Sequence, residues 1–233
     1  MKLKKQRSKI RIRDYDKIAC DNDLIKNKKK NGDLLPNNIR CIICGPSNCG
    51  KTNVMFNLLF DSNGLRFENV YVFSKSLYQP KYKFLDKIFS KIPSIGYYTF
   101  SDNDEVIHPN EAKPNSVMVF DDIACELQTN IRNYFAMRRH NNIDVFYLCQ
   151  SYSKIPKQLI RDNTNLLIIF RQDELNLKHV YTDHVNTYMS FDTFKEICNK
   201  VWTGGKYQFL VVDKESEINH GRYRIGFDIY INV

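Results

Sequence analysis

The stretch CGPSNCGKTNVMFNLL, residues 44–59, sets Gly45, Gly50, Lys51 and Thr52 at the spacing G-x-x-x-x-G-K-T. Glycines at both ends let the chain adopt positive φ and approach an anion closely, so several backbone N–H groups can point at phosphate oxygens. Gly45, Pro46, Ser47, Asn48, Cys49 and Gly50 then form the cradle. Lys51 reaches the β- and γ-phosphates, and the Thr52 hydroxyl is a ligand for Mg²⁺. The chemistry these residues point to is nucleotide phosphate binding. It requires a strand before the loop and a helix after it.

Carboxylates come next. The stretch SVMVFDD, residues 116–122, is an apolar strand that delivers Asp121 and Asp122 to its carboxyl end, where ligands bind in open α/β sheets. Asp121 is placed to support the Mg²⁺ shell and Asp122 to orient an attacking water. An acidic pair after a strand also serves as an ordinary helix start, since Asp favours the first turn. Its position downstream of a phosphate loop favours the catalytic reading.

A third block, RRHNNIDVFYLCQSY at 138–152, ends a strand on Gln150, whose amide can sense a γ-phosphate or place water. Arg138 and Arg139 stand at that strand's opposite end. Seven strand residues at ~3.3 Å each put them roughly 20 Å from their own nucleotide. An arginine there can serve only a neighbouring subunit's site, or else cap the carboxyl end of the preceding helix.

The elements that must hold these groups alternate. Strand-like runs occupy 39–44, 69–74, 95–100, 116–120, 143–149, 166–170 and 207–213. Helical patterns fall at Asn53–Phe60, with a left-handed stop at Asn63-Gly64, and at 126–138, where Leu127, Ile131 and Phe135 recur at i, i+4 and i+8. A third covers 191–202, closed by Gly204-Gly205. Such alternation predicts an α/β fold with a mostly parallel sheet flanked by helices on both faces.

Composition narrows the class. The chain has 233 residues and 42% hydrophobic content, enough for a sizeable core. No apolar run approaches the roughly 18 residues needed to cross a bilayer, and no apolar segment follows the basic start, so a soluble intracellular protein without membrane contact is expected. Seven cysteines lack framework spacing. Cys41 and Cys44, three apart on a strand, point to opposite faces and cannot clamp one zinc. Residues 1–30 hold 12 Lys and Arg against four Asp, a net of +8, which leaves +1 of the total +9 for the remainder. We therefore divide the chain into a basic arm at 1–35 and a body at 36–233. The arm suits nucleic acid or an acidic protein surface, or simply solubility. The segment at 74–91 adds Lys75, Lys81, Lys83, Lys87 and Lys91, with Tyr78 and Tyr82 between them. It is a second candidate contact with DNA phosphates, against the plain reading of a solvated helix face.

GPSNCGKT, VMVFDD and RRHNNIDVFYLCQSY together resemble the FtsK–HerA superfamily of ring-forming DNA-pumping ATPases. With IPKQLIRDNTNLLIIF added, the chain resembles one branch more than the rest: the genome-packaging ATPases of double-stranded DNA viruses such as poxviruses, giant viruses, virophages and Polinton-like viruses. The similarity spans roughly residues 37–175. It implies a RecA-like (ASCE) P-loop NTPase core, with an extra strand between those bearing the two Walker motifs. It also implies ATP and Mg²⁺ as ligands, a homo-oligomeric ring, double-stranded DNA as the object moved, and capsid proteins as partners. The host cytoplasm or viral factory would be the location, with the virion as a further one. By position, Lys51 and Thr52 bind phosphate and Mg²⁺, Asp121 supports Mg²⁺, Gln150 is the sensor and Arg139 the arginine finger. The superfamily commonly has Glu where this chain has Asp122, which retracts the carboxylate by roughly 1.5 Å and makes Glu126, one helical turn later, a fallback base.

Two other classes remain as alternatives. A nucleoside or nucleotide kinase shares the phosphate loop but wants an arginine-rich lid or zinc ribbon, and neither is evident. A P-loop DNA-binding protein without motor activity would explain the basic arm and leave the three motifs unexplained. A small GTPase needs an N-K-x-D reader, and "NKKK" and "NKVW" lack the aspartate.

Overall fold

A computed structural model describes residues 29–101, 106–123, 128–136 and 142–233. Arg138, Arg139, Glu126, Leu127 and most of the basic arm lie outside the described residues. Among the described residues, nine strands form one sheet in the order β3-β2-β4-β5-β1-β6-β7-β8-β9. β1 (Arg40–Cys44), β2 (Asn69–Ser74), β3 (Gly96–Phe100), β4 (Ser116–Asp121), β5 (Asp144–Cys149) and β6 (Leu166–Ile169) run parallel. β7 (Leu210–Asp213), β8 (Tyr223–Ile225) and β9 (Ile229–Ile231) add antiparallel pairs at one edge.

The central strands read as continuous apolar runs because both of their faces are covered. All six residues of β2 and the first five of β4 are buried. One face packs against α1 (Lys51–Phe60) and α2 (Pro80–Phe89) through Met55, Leu58, Leu85 and Phe89. The opposite face packs against α3 (Gln128–Ala136), α4 (Glu174–His184) and α5 (Phe191–Thr203) through Ile131, Phe135, Val180, Phe194 and Cys198. Cys41 belongs to the first cluster and Cys44 to the second, the opposite-face placement that their spacing predicts.

β5 is the strand that defines the architecture. It pairs with β1 on one side and β4 on the other, so Ile43 and Asp121 both lie opposite Leu148. This is the inserted strand expected between the phosphate loop and the acidic pair. The amino end of β5 is pinned by buried Asp144, which accepts from the Ile39 amide (2.7 Å), the Asn31 amide group (3.1 Å) and the Lys30 ammonium (2.9 Å). Residues 30–35 are therefore seated on the body, with Leu35 buried.

Some boundaries differ from the sequence reading. α1 begins at Lys51, directly on the loop, and stops at Phe60 with Asp61 extended. Neither Asn63 nor Gly64 takes the expected left-handed conformation. The turn is closed instead by Leu65 N–H donating to the Leu58 carbonyl (2.8 Å) and Gly64 N–H to that of Asp61 (3.0 Å). No helix among the described residues is long and apolar enough to cross a membrane.

Candidate nucleotide-binding site

Hydrogen bonds continue past the end of β1 and hold the loop in place. The Gly45 amide donates to the Cys149 carbonyl of β5 (3.1 Å), and the Phe170 amide to the Cys44 carbonyl (2.9 Å). A Cβ at Gly45 would lie 2.6 Å from the Phe170 side chain and 2.7 Å from Cys49 Sγ, so only glycine lets the loop leave the sheet here. Asn48 (φ 60) and Gly50 (φ 110) then take left-handed conformations that curl the backbone over the start of α1. That helix has no side-chain cap, which leaves its first-turn N–H groups facing the loop. A positive helix end reached through left-handed loop backbone makes an anion cradle. Lys51 folds back over it, its Nζ donating to the Gly45 (2.6 Å) and Pro46 (2.9 Å) carbonyls.

Asp121 and Asp122 arrive from β4, and Gln150 from the end of β5. A cavity of about 150 Å³ joins them to Ser47, Asn48, Gly50, Lys51 and Thr52. Asp122 sits at φ 53, a left-handed position that aspartate tolerates better than most residues. The Gln150 amide nitrogen contacts both Asp122 carboxylate oxygens at 3.5 Å. The fold thus brings together Lys51, Thr52, Asp121, Asp122 and Gln150, which lie in three separate segments of the chain. Cys49 is buried beneath the loop, and Pro46 faces its other side. Arg139 lies outside the described residues.

The acidic pair divides by environment. Asp121 is largely enclosed, and burial raises its carboxyl pKa, offset in part by a hydrogen bond from Tyr82 and by the nearby Lys51 charge. Tyr82 donates its hydroxyl to Asp121 Oδ2, and burial followed by the Asp121 charge raises its own pKa. Asp122 is exposed to the cavity.

Tyr82 corrects an expectation. Placed with Tyr78 as a candidate DNA contact, it is only 2% exposed and faces the nucleotide site. Lys81 turns to the same cavity, with Ser76 and Gln79. The signal in the sequence was the apolar spacing of Tyr82, Leu85 and Phe89, which marks the buried face of α2. Tyr78 remains exposed, as do Lys83, Lys87 and Lys91 on the outer surface.

The sequence profile of the Poxvirus A32 protein family matches residues 26–201, about three quarters of the chain. The chain belongs to the poxvirus A32 protein family. No curated protein matches it by sequence. Solved structures similar to this A32-family chain include the genome packaging NTPase B204 from Sulfolobus turreted icosahedral virus 2. Its sulfate complex is 15% identical with a TM-score of 0.55, over 84% of this chain and 97% of that one. Its ATP-γS complex is 13% identical with a TM-score of 0.53, over 84% and 98%. B204, the DNA-packaging ATPase from Sulfolobus turreted icosahedral virus, is 16% identical with a TM-score of 0.52, over 83% and 97%. At such identities the likeness shows a shared fold, and it extends over nearly the whole of the other chain.

Proposed function

We infer that this A32-family chain hydrolyses ATP to drive double-stranded DNA into a preformed viral capsid. The observation that carries this reading is the convergence of the phosphate loop, Asp121–Asp122 and Gln150 on one cavity, with β5 interposed between β1 and β4. Family membership and the fold shared with genome-packaging NTPases support it.

Each residue has a task. Amides of residues 47–52 and the Lys51 ammonium bind the phosphates; Lys51 must exchange its two loop carbonyls for phosphate oxygens when the nucleotide enters. The donor set fits Mg²⁺: the Thr52 hydroxyl and the Asp121 carboxylate border the same cavity, and a hard cation prefers such oxygen ligands. When bound, Mg²⁺ neutralises charge on the phosphate oxygens. Asp122 orients the attacking water and takes its proton, and the Gln150 amide, against both carboxylate oxygens, holds Asp122 and senses the γ-phosphate. Arg139, in this reading, stabilises transition-state charge in a neighbouring subunit of a ring. DNA contacts come from the basic arm and from the outer face of α2, through phosphates rather than bases, because a motor must accept any sequence.

Release of phosphate from ATP by the wild-type chain and by Lys51→Ala tests the enzymatic core. Removal of the ammonium should reduce turnover to background while circular dichroism stays native, since among the described residues the Lys51 ammonium hydrogen-bonds to the loop's own carbonyls and packs no core. Undiminished turnover in Lys51→Ala would overturn the assignment.

A further inference from the structure

A side chain at the tip of a strand needs something to aim it, and Gln150 stands just past the end of β5 at Cys149. Its amide meets the Asp122 carboxylate only at 3.5 Å, the outer limit of a hydrogen bond, so that contact does not fix it. What holds the position is the segment that follows.

Tyr152 is fully buried and begins a short turn of 3-10 helix, Tyr152–Lys154. The serines on either side of it both turn to one residue, Asn176 in the first turn of α4. Asn176 Oδ1 accepts from the Ser151 hydroxyl (3.1 Å) and from the Ser153 amide (2.8 Å). The Ser151 and Ser153 hydroxyls lie 3.1 Å from each other.

Asn176 is gripped in turn. It is only 6% exposed, and Asp173, the residue that caps α4, holds it twice. Asp173 Oδ1 accepts from the Asn176 backbone amide (2.8 Å) and Oδ2 from its side-chain nitrogen (2.6 Å). Capping the helix requires the first of these bonds alone. The second orients the Asn176 side chain, so that both acceptor positions of Oδ1 meet residues 151–153. Once buried, such an amide is costly to leave without its partners. Gln150 is thus one peptide bond from a hydroxyl clamped to α4, whose Leu177 and Val180 are packed in the core.

We propose that Asn176 is a positioning residue for Gln150: through Ser151 and Ser153 it fixes the backbone that aims the sensor amide at Asp122 and the terminal phosphate. This rests on the nucleotide reading above. Among the described residues Asn176 does not border the nucleotide cavity, so its part lies in turnover and not in ATP binding. The competing reading makes Asn176 a completion of the first turn of α4, in which case its loss would act on stability whatever residue stands at 150.

The test measures steady-state and single-turnover hydrolysis of ATP by the full-length chain. Asn176→Ala should lower kcat by about tenfold to 100-fold, the scale of a misplaced reacting group, with KM for ATP held within about twofold. In a Gln150→Ala background the same substitution should add no further loss, because its route to the reaction is already gone. Asn176→Asp sets two carboxylates against each other and should be equally slow. Adding Asp173→Asn to it restores one amide and one carboxylate to the pair, and should recover turnover. If Asn176→Ala slows turnover as much without Gln150 as with it, or leaves kcat unchanged, Asn176 only caps a helix and the proposal falls. Should Asn176→Ala lose its native circular dichroism, Ser151→Ala removes one clamp bond without opening the core, and the same dependence on Gln150 decides. Full activity in Gln150→Ala would also overturn the proposal while the nucleotide reading stands. If the wild-type chain hydrolyses no ATP, the nucleotide reading itself fails, and this inference with it.

Discussion

Asp121 closes an apolar strand, where burial alone raises its pKa, yet the cation-supporting role proposed for it requires the ionised form. The Tyr82 hydroxyl reconciles the two by donating to the carboxylate. Tyr82→Phe removes that donor and leaves the ring packed, so the Asp121 pKa should rise further. A hydrogen bond to a charged group contributes roughly 1.5–3 kcal/mol. The apparent Mg²⁺ requirement for hydrolysis should therefore increase by about tenfold or more, and the acidic limb of the pH–rate profile should move to higher pH. Unchanged Mg²⁺ and pH dependence would make Tyr82 a packing residue only. At the neighbouring position, Asp122→Asn should trap bound ATP; if Glu126→Gln does so instead, the base is Glu126. The phosphate loop and Asp121 were legible because each is a contiguous motif with the strand context its chemistry demands. Tyr82 was not, because it meets Asp121 across 39 residues of sequence and lies in a stretch whose lysines suggested DNA.

At the scale of elements, α2 turns one face inward and another out. Tyr82, Leu85 and Phe89 are buried, while Lys83, Phe84 and Lys87 are exposed. If the outer face follows DNA phosphates, Lys83→Glu with Lys87→Glu should make the log–log salt dependence of DNA binding shallower by about 2, one per lost phosphate contact. An unchanged slope would leave the DNA contact to the basic arm. The segment after Gln150 is anchored differently, by a buried network. The Tyr152 hydroxyl meets His184 Nε2 (2.6 Å) and donates to Asp183 (3.2 Å), which also accepts from Arg161 (2.8 Å). Burial, with the Lys214 and Arg161 charges, pushes His184 down to about 3. The folded chain thus keeps His184 neutral where the unfolded chain, below about pH 6.5, binds a proton. Stability is lost as pH falls from about 6.5 towards 3, by up to roughly 1.4 kcal/mol per pH unit from this group. Melting temperatures at pH 7 and 5.5 should show that loss in wild type and a smaller one in His184→Gln; equal losses would remove His184 as the cause. The central strands were readable from their buried apolar runs. α4 was not, since its sequence ELNLKHVYTDH mixes polar residues into both faces, and the three-residue β8 and β9 are too short for any pattern to register.

For the whole molecule, the order of β4, β5 and β1 places β5, which leads into Gln150, between phosphate loop and acidic pair, as the resemblance to ring ATPases implied. If Arg139 acts in trans, its role has to be tested in a mixed assembly. Arg139→Ala should bind ATP normally and hydrolyse it poorly, with a loss of about 10³-fold or more. Mixed with Lys51→Ala after subunit exchange, it should regain activity at interfaces that pair an intact loop with an intact finger. Mixed assemblies that stay silent, while Arg138→Ala mixed in the same way recovers activity, would move the finger to Arg138. In the proposed function, hydrolysis serves the movement of duplex DNA, so the decisive experiment compares the rate of ATP hydrolysis with and without long double-stranded DNA. Double-stranded DNA of any sequence should accelerate turnover by wild type and not by Lys51→Ala. A rate indifferent to duplex DNA but raised by a nucleoside or nucleotide acceptor would contradict the account and make the chain a kinase.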